Sequence, residues 1–221
     1  RATSAQRRGA TIARVTDPSE RLTRHAMRLF PVYGGLTLLL WFGLILAGDD
    51  ATIALCHAMA VLSTSGISPI GGLQWSAGGY AAEALILVFF AFALSRLTFS
   101  QMILGRDPAR FWRDPEFRLG LLIIAVATGA IFLRHALSAP VADFGRAVGA
   151  LWSVLFTTAS FLTTTGFESR GWYGASVWSG LSPPGVVLFG LALIGGGVAT
   201  TAGGVKLLRL YALLRHGQRL Q

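Results

Sequence analysis

Ser63-Thr64-Ser65-Gly66-Ile67-Ser68 and, one hundred positions later, Thr163-Thr164-Thr165-Gly166-Phe167-Glu168 share one pattern, three small hydroxyl residues closed by a glycine. Each follows a short apolar segment that reads as helix, Ala51 to Leu62 in the first case and Val148 to Leu162 in the second. Crossing a hydrocarbon core takes about 20 apolar residues as helix, so such segments read as re-entrant or interfacial helices. Non-helical backbone at membrane depth is tolerated where it is buried in protein or lines a water-filled path. A matching pair of such segments therefore points to a pore.

The flanking sequence supplies the membrane. Of the 221 residues, 53% are hydrophobic and 13% charged, far from the soluble average. Four apolar stretches begin near Leu29, Tyr80, Leu119 and Pro183. Leu29 to Ala47 and Leu119 to Leu133 carry no charge. Tyr80 to Leu104 contains Glu83 and Arg96, which either snorkel or pack against protein. Pro183 to Leu214 is interrupted by Gly195, Gly196, Gly197, Gly203 and Gly204, which argues against one straight helix. Glycines packed as a small-residue surface are the alternative, but their density favours an unwound loop.

The formal charge of +9 is placed for a membrane rather than for nucleic acid, because the cations flank the spans. Sixteen Lys and Arg residues precede span one, lie at or between spans two and three, or follow the glycine break; Arg134, Arg146 and Arg170 fall in the other compartment. The positive-inside rule then puts both termini and the central connection in the cytoplasm. The expected organisation is a basic segment over 1–28, a pore repeat over 29–105, a cytoplasmic linker over 106–118 and a second repeat over 119–221. The start at Arg1, with no apolar signal core, reads as an excised piece lacking an ordinary export signal.

In such a loop the backbone carbonyls replace the hydration shell of an alkali cation, and hydroxyls add further oxygen. Gly66 and Gly166 permit dihedrals that a side chain forbids. Neither hydroxyl run contains a carboxylate, which suits a monovalent cation better than calcium. Asp49 and Asp50 either raise the cation concentration at the outer mouth or, for Asp50, cap the short helix. His57 reads as a hydrogen-bonded structural group and Cys56 as a small buried residue. Metal-ligand clusters, paired nucleophiles and P-loops are missing from the sequence, so an enzyme is not expected.

These features resemble the Trk/Ktr/HKT superfamily of potassium transporters, most closely its bacterial TrkH type. The resemblance rests on three places: the segment His57 to Ser68, the run Trp112-Arg113-Asp114-Pro115-Glu116-Phe117-Arg118, and Thr163 to Phe167 followed by Ile194-Gly195-Gly196-Gly197-Val198-Ala199-Thr200-Thr201-Ala202-Gly203-Gly204-Val205-Lys206. It covers roughly residues 21 to 219 and matches the second and third of the family's four helix, pore loop, helix repeats. The resemblance implies an all-α integral membrane fold, half of a pseudo-fourfold cation pore, with the rest supplied by a longer chain or by a second copy. It implies a cation-binding filter at Ser63, Thr64, Ser65, Gly66, Ile67, Thr163, Thr164, Thr165, Gly166 and Phe167, holding K+ at backbone carbonyls. Gly195, Gly196, Gly197, Thr200, Thr201, Gly203, Gly204 and Lys206 would form a gate loop beneath it. Lys206 reads equally as a positive-inside anchor.

Two positions depart from the family pattern: Ser65 stands where glycine is frequent, and Ile67 where an aromatic is usual. The implied activity is gated potassium uptake across the bacterial cytoplasmic membrane, with no covalent cofactor. Sodium permeation or coupling, and a non-conducting scaffold, are the alternatives. The implied partners are the lipid bilayer, a second copy in a homodimer, and a cytosolic nucleotide-binding regulatory subunit of the TrkA/KtrA kind; nucleic acid is not among them.

Overall fold

Residues 18–94, 114–138, 144–178, 185–198 and 200–217 are described by the structure, a computed structural model. Among them every regular element is helical. In chain order these are α1 (Pro18–Leu46), α2 (Ala51–Ser63), a 3-10 turn (Leu73–Trp75), α3 (Gly79–Leu94), α4 (Pro115–Ser138), α5 (Phe144–Leu162), α6 (Trp172–Trp178), α7 (Gly185–Ile194) and α8 (Leu207–Gly217). Arg1–Gly35 forms one compact unit, whose described part is the opening of α1, with Pro31 inside the helix. The packing below concerns the other unit, Leu36–Gln221.

Three described stretches, Leu29–Leu46, Pro115–Leu133 and Gly145–Leu162, are long and apolar enough to cross a membrane. Eighteen helical residues reach about 27 Å, close to the hydrocarbon thickness. Phe42, Leu122, Val126 and Phe189 stand exposed on their helices, a pattern suited to hydrocarbon and hazardous in water. The described residues are thus all-helical, arranged as helix, loop, helix units with apolar helices of membrane-spanning length.

The expected spans are refined at their ends. Span three begins at Pro115, inside the expected linker, because Asp114 caps the helix: its Oδ1 accepts the Glu116 N–H at 3.1 Å, and Pro115 takes the first helical position. The Trp112 to Arg118 run therefore carries a helix start. Span two is helical from Gly79 to Leu94; its remainder, with Arg96, lies outside the described residues, as do Trp112, Arg113, Pro183 and Ala199. Span four is indeed two helices, α7 and α8, separated by residues 195–206.

The short helix before the second hydroxyl run is longer than expected, starting at Phe144 rather than Val148. At 13 residues α2 keeps the length expected of a re-entrant helix, and at 19 residues α5 does not. What marks α5 is its exit into a buried non-helical loop, with Thr163 and Thr165 almost wholly covered.

The second repeat has its own core. Ile131, Val154, Trp172, Ala175, Leu188 and Leu191 bring α4, α5, α6 and α7 together. Thr128 and Thr158 hydroxyls pair across α4 and α5 at 2.9 Å, satisfying two buried polar groups. The repeats meet where Phe90 of α3 stacks on Phe156 of α5, ring centroids 5.5 Å apart.

Candidate functional site

Helices α2 and α5 stop in the same way. α2 ends as Thr64 turns left-handed at φ 50°, its N–H reaching back to the carbonyls of Ala60 and Val61. α5 ends as Thr164 turns at φ 58°, its N–H reaching Phe161. Ser63 Oγ donates to Met59 O at 2.8 Å, and Thr163 Oγ1 donates to Ala159 O at 3.0 Å. Ser65 N and Thr165 N each donate 2.9 Å to the carbonyl five residues earlier. The first and third hydroxyls pair, Ser63 with Ser65 at 3.0 Å and Thr163 with Thr165 at 3.1 Å.

The first hydroxyl of each run bonds back to the carbonyl four residues earlier, which in the second loop also accepts the Thr163 N–H at 3.0 Å, so the side chain braces the last turn. The hydroxyls of Ser63 and Thr163 thus support the turn.

The two loops touch through backbone. Gly66 sits at φ +63°, and a Cβ there would fall inside the contact radius of Thr165 O, so only glycine permits the approach. Gly166, at φ +84°, has open space where its Cβ would be. Beside this contact lies a cavity of about 310 Å³, lined by Gly66, Ser68, Gly71, Gly72, Gln74, Gly166, Phe167 and Glu168.

The glycine loop between α7 and α8 folds back on itself. Val205 N, Lys206 N and Leu207 N donate to Leu193, Ile194 and Gly196 carbonyls at 2.9 to 3.1 Å. Gly195 and Gly204 lie backbone to backbone, where any Cβ would collide. Gly197 N donates to Ala93 O of α3 at 3.0 Å, and Thr200 Oγ1 closes the turn onto Gly197 O at 2.7 Å. Two further bonds tie this loop to the hydroxyl loops: Thr201 Oγ1 donates to Leu62 O at 2.9 Å, and Gly203 N donates to Thr164 Oγ1 at 2.6 Å. Lys206 is left-handed at φ 77°, and its Nζ donates to Ala202 O within the same loop.

The acidic residues near the first loop have structural work. Asp50 caps α2, its Oδ1 accepting Thr52 N at 2.9 Å. Asp49 is buried, and its Oδ1 accepts Ser76 Oγ at 2.5 Å and Gly78 N at 2.8 Å, so it is not a solvated cation attractor at the mouth. His57 is fully buried, with Nε2 and Ser68 Oγ 2.9 Å apart and its ring edge-on to Phe167 at 5.6 Å. It thus links the two loops.

Glu83 was readable only as an anomaly, a carboxylate in an apolar span. It packs against protein: Oε2 accepts Trp152 Nε1 and Ser169 Oγ, both at 2.8 Å, and Oε1 accepts Arg170 N at 2.6 Å. No group of three metal-ligating side chains occurs among the described residues.

No protein-family model matches the chain. It is 27% identical over 211 residues to the Trk system potassium uptake protein TrkH of Vibrio parahaemolyticus, covering 92% of this chain and 41% of that one. The protein of the same name from Halomonas elongata is 29% identical, covering 90% and 40%, and that of Escherichia coli K12 is 27% identical with the same coverage. The crystal structure of the potassium transporter TrkH from Vibrio parahaemolyticus superposes with a TM-score of 0.76 at 26% identity, over 92% of this chain and 42% of that one. The chain spans about two-fifths of the length of the curated relatives it matches.

Proposed function

We propose that the chain is of the Trk family, TrkH type, and that it carries two adjacent repeats of a gated potassium-uptake pore in the bacterial cytoplasmic membrane. The observation that carries this reading is the pair of hydroxyl loops, built by the same hydrogen bonds and brought into backbone contact at Gly66 and Thr165. Two adjoining loops of this kind offer rings of carbonyl oxygen to a dehydrated monovalent cation. Residues 63–67 and 163–167 are the filter segments in this reading, and residues 195–206 are the gate, hydrogen-bonded to the end of α2 and to the second filter. The repeats occupy 29–105 and 119–221, and both ends of the segment face the cytoplasm, as the cation distribution favours.

Membrane insertion follows from the apolar helices; the relatives' names supply potassium. A complete ring takes further loops, and a homodimer with a cytosolic nucleotide-binding regulatory subunit belongs to the same reading. The substrate is potassium, moving down its electrochemical gradient without covalent chemistry.

The test is potassium uptake by transport-deficient cells expressing the complete natural protein, wild type against Gly166→Arg at matched membrane abundance. Uptake lost in the variant is expected, since the arginine side chain would fill the open space beside Gly166. Undiminished uptake by the variant would overturn the reading. Replacing potassium by sodium in the same assay separates a potassium filter from a sodium-permeable one.

A further inference from the structure

A single carboxylate from the first repeat holds the segment that leaves the second hydroxyl loop. Glu83, 1% exposed on α3, meets three donors drawn from one stretch of α5 and from the chain just beyond Glu168. Trp152 Nε1–H and Arg170 N–H can only donate, while the Ser169 hydroxyl can do either. An acceptor-only carboxylate satisfies all three at once. Ser169 is pinned further, its N–H donating to Thr157 Oγ1 at 3.2 Å and its hydroxyl lying 3.3 Å from Ser153 Oγ. Asp49, another buried carboxylate of the first repeat, binds residues 76 and 78 of that same repeat, further past the first hydroxyl run.

We propose that Glu83 is a positioning residue for ion selection: by fixing Ser169 and Arg170 to α3, it sets where the carbonyls of Thr165 to Glu168 stand against the first loop. This inference rests on the filter reading above. Carbonyl position and field decide between potassium and sodium, so a small displacement of this limb should show in preference before it shows in transport itself.

Glu83→Gln is nearly isosteric but brings an NH2 group into a site of donors. Pointed at Arg170 it opposes an N–H; pointed the other way it opposes Trp152, and only Ser169 can turn to accept. One part-buried donor is therefore left opposed in either orientation, the condition that makes the substitution costly. Pairing Glu83→Gln with Trp152→Phe removes the opposed donor and should restore part of the preference, which a general loss of folding would not do.

The experiment measures potassium and sodium uptake by the complete protein at matched membrane abundance, with Gly166→Arg alongside. Expected is a fall of about tenfold in potassium over sodium preference for Glu83→Gln, the scale of one opposed part-buried donor. Partial recovery is expected in the double variant. Unchanged preference in Glu83→Gln, with uptake abolished by Gly166→Arg, would overturn this inference alone; uptake surviving Gly166→Arg would overturn the filter reading beneath it. Should Glu83→Gln fail to reach the membrane, Ser169→Ala decides, with a smaller fall in preference expected and an unchanged ratio refuting the role.

Discussion

The two hydroxyl loops share a backbone and differ in everything around it. Thr64 and Thr164 turn left-handed at φ 50° and 58°, and the same side-chain bonds brace each turn. Yet Ser63, Ser65 and Ile67 stand exposed, while Thr163, Thr165 and Phe167 are buried. Local sequence is enough to write the turn, since its bonds run within five residues. Surroundings decide which loop is locked: the second has Glu83, Thr157 and the His57 edge behind it, whereas beside the first His57 meets Ser68. Ile67, where the family pattern has an aromatic, stands 69% exposed in this two-repeat segment.

Gly66 and Gly166 offer the largest contrast. Gly66→Ala should abolish potassium uptake, because its Cβ strikes Thr165 O, whereas Gly166→Ala meets open space and carries only the left-handed backbone cost of about 1–2 kcal/mol. Uptake assays at equal membrane abundance that ranked them the other way would break the comparison. Next comes packing. Phe167→Ala should lower thermal stability in detergent by about 3–5 kcal/mol, as for other buried aromatics. Ile67→Ala should stay within about 0.5 kcal/mol, as at ordinary exposed sites. Equal losses would mean that the first loop is also packed. Another small effect belongs to the proposed gate, residues 195–206. Thr201→Val removes the bond to Leu62 O, worth about 0.6 kcal/mol inside a membrane protein, and should raise flux about threefold if that tether holds the loop shut. Flux recordings showing no change would assign closure to the Gly203–Thr164 bond instead.

What could be read beforehand was whatever repeats or breaks a local rule. The twin hydroxyl runs announce themselves by spacing, and the glycine cluster could not continue a helix, so α7 and α8 were expected as separate pieces. Asp50 was legible as a cap because capping acts over two residues. Asp49 and Glu83 were not, since their partners lie 27 to 87 residues away and only the folded chain brings them together. Helix α5 starts four residues before Val148, where Gly145 and Arg146 are poor signals for an apolar helix. Helix α4 likewise starts ahead of its apolar stretch, because the Asp114-Pro115 cap is polar sequence that looks like linker.

The glycine loop holds one hydrogen bond to the carboxyl end of each of α2 and α5, at Leu62 and at Thr164. Such an arrangement is a thermodynamic linkage. In the proposed roles, an ion that seats more firmly when the loop is closed favours closure by the same factor, without any ligand outside the conduction path. Permeant-ion concentration would then act on the gate as an effector does, and a preference among ions would carry with it a preference among open times.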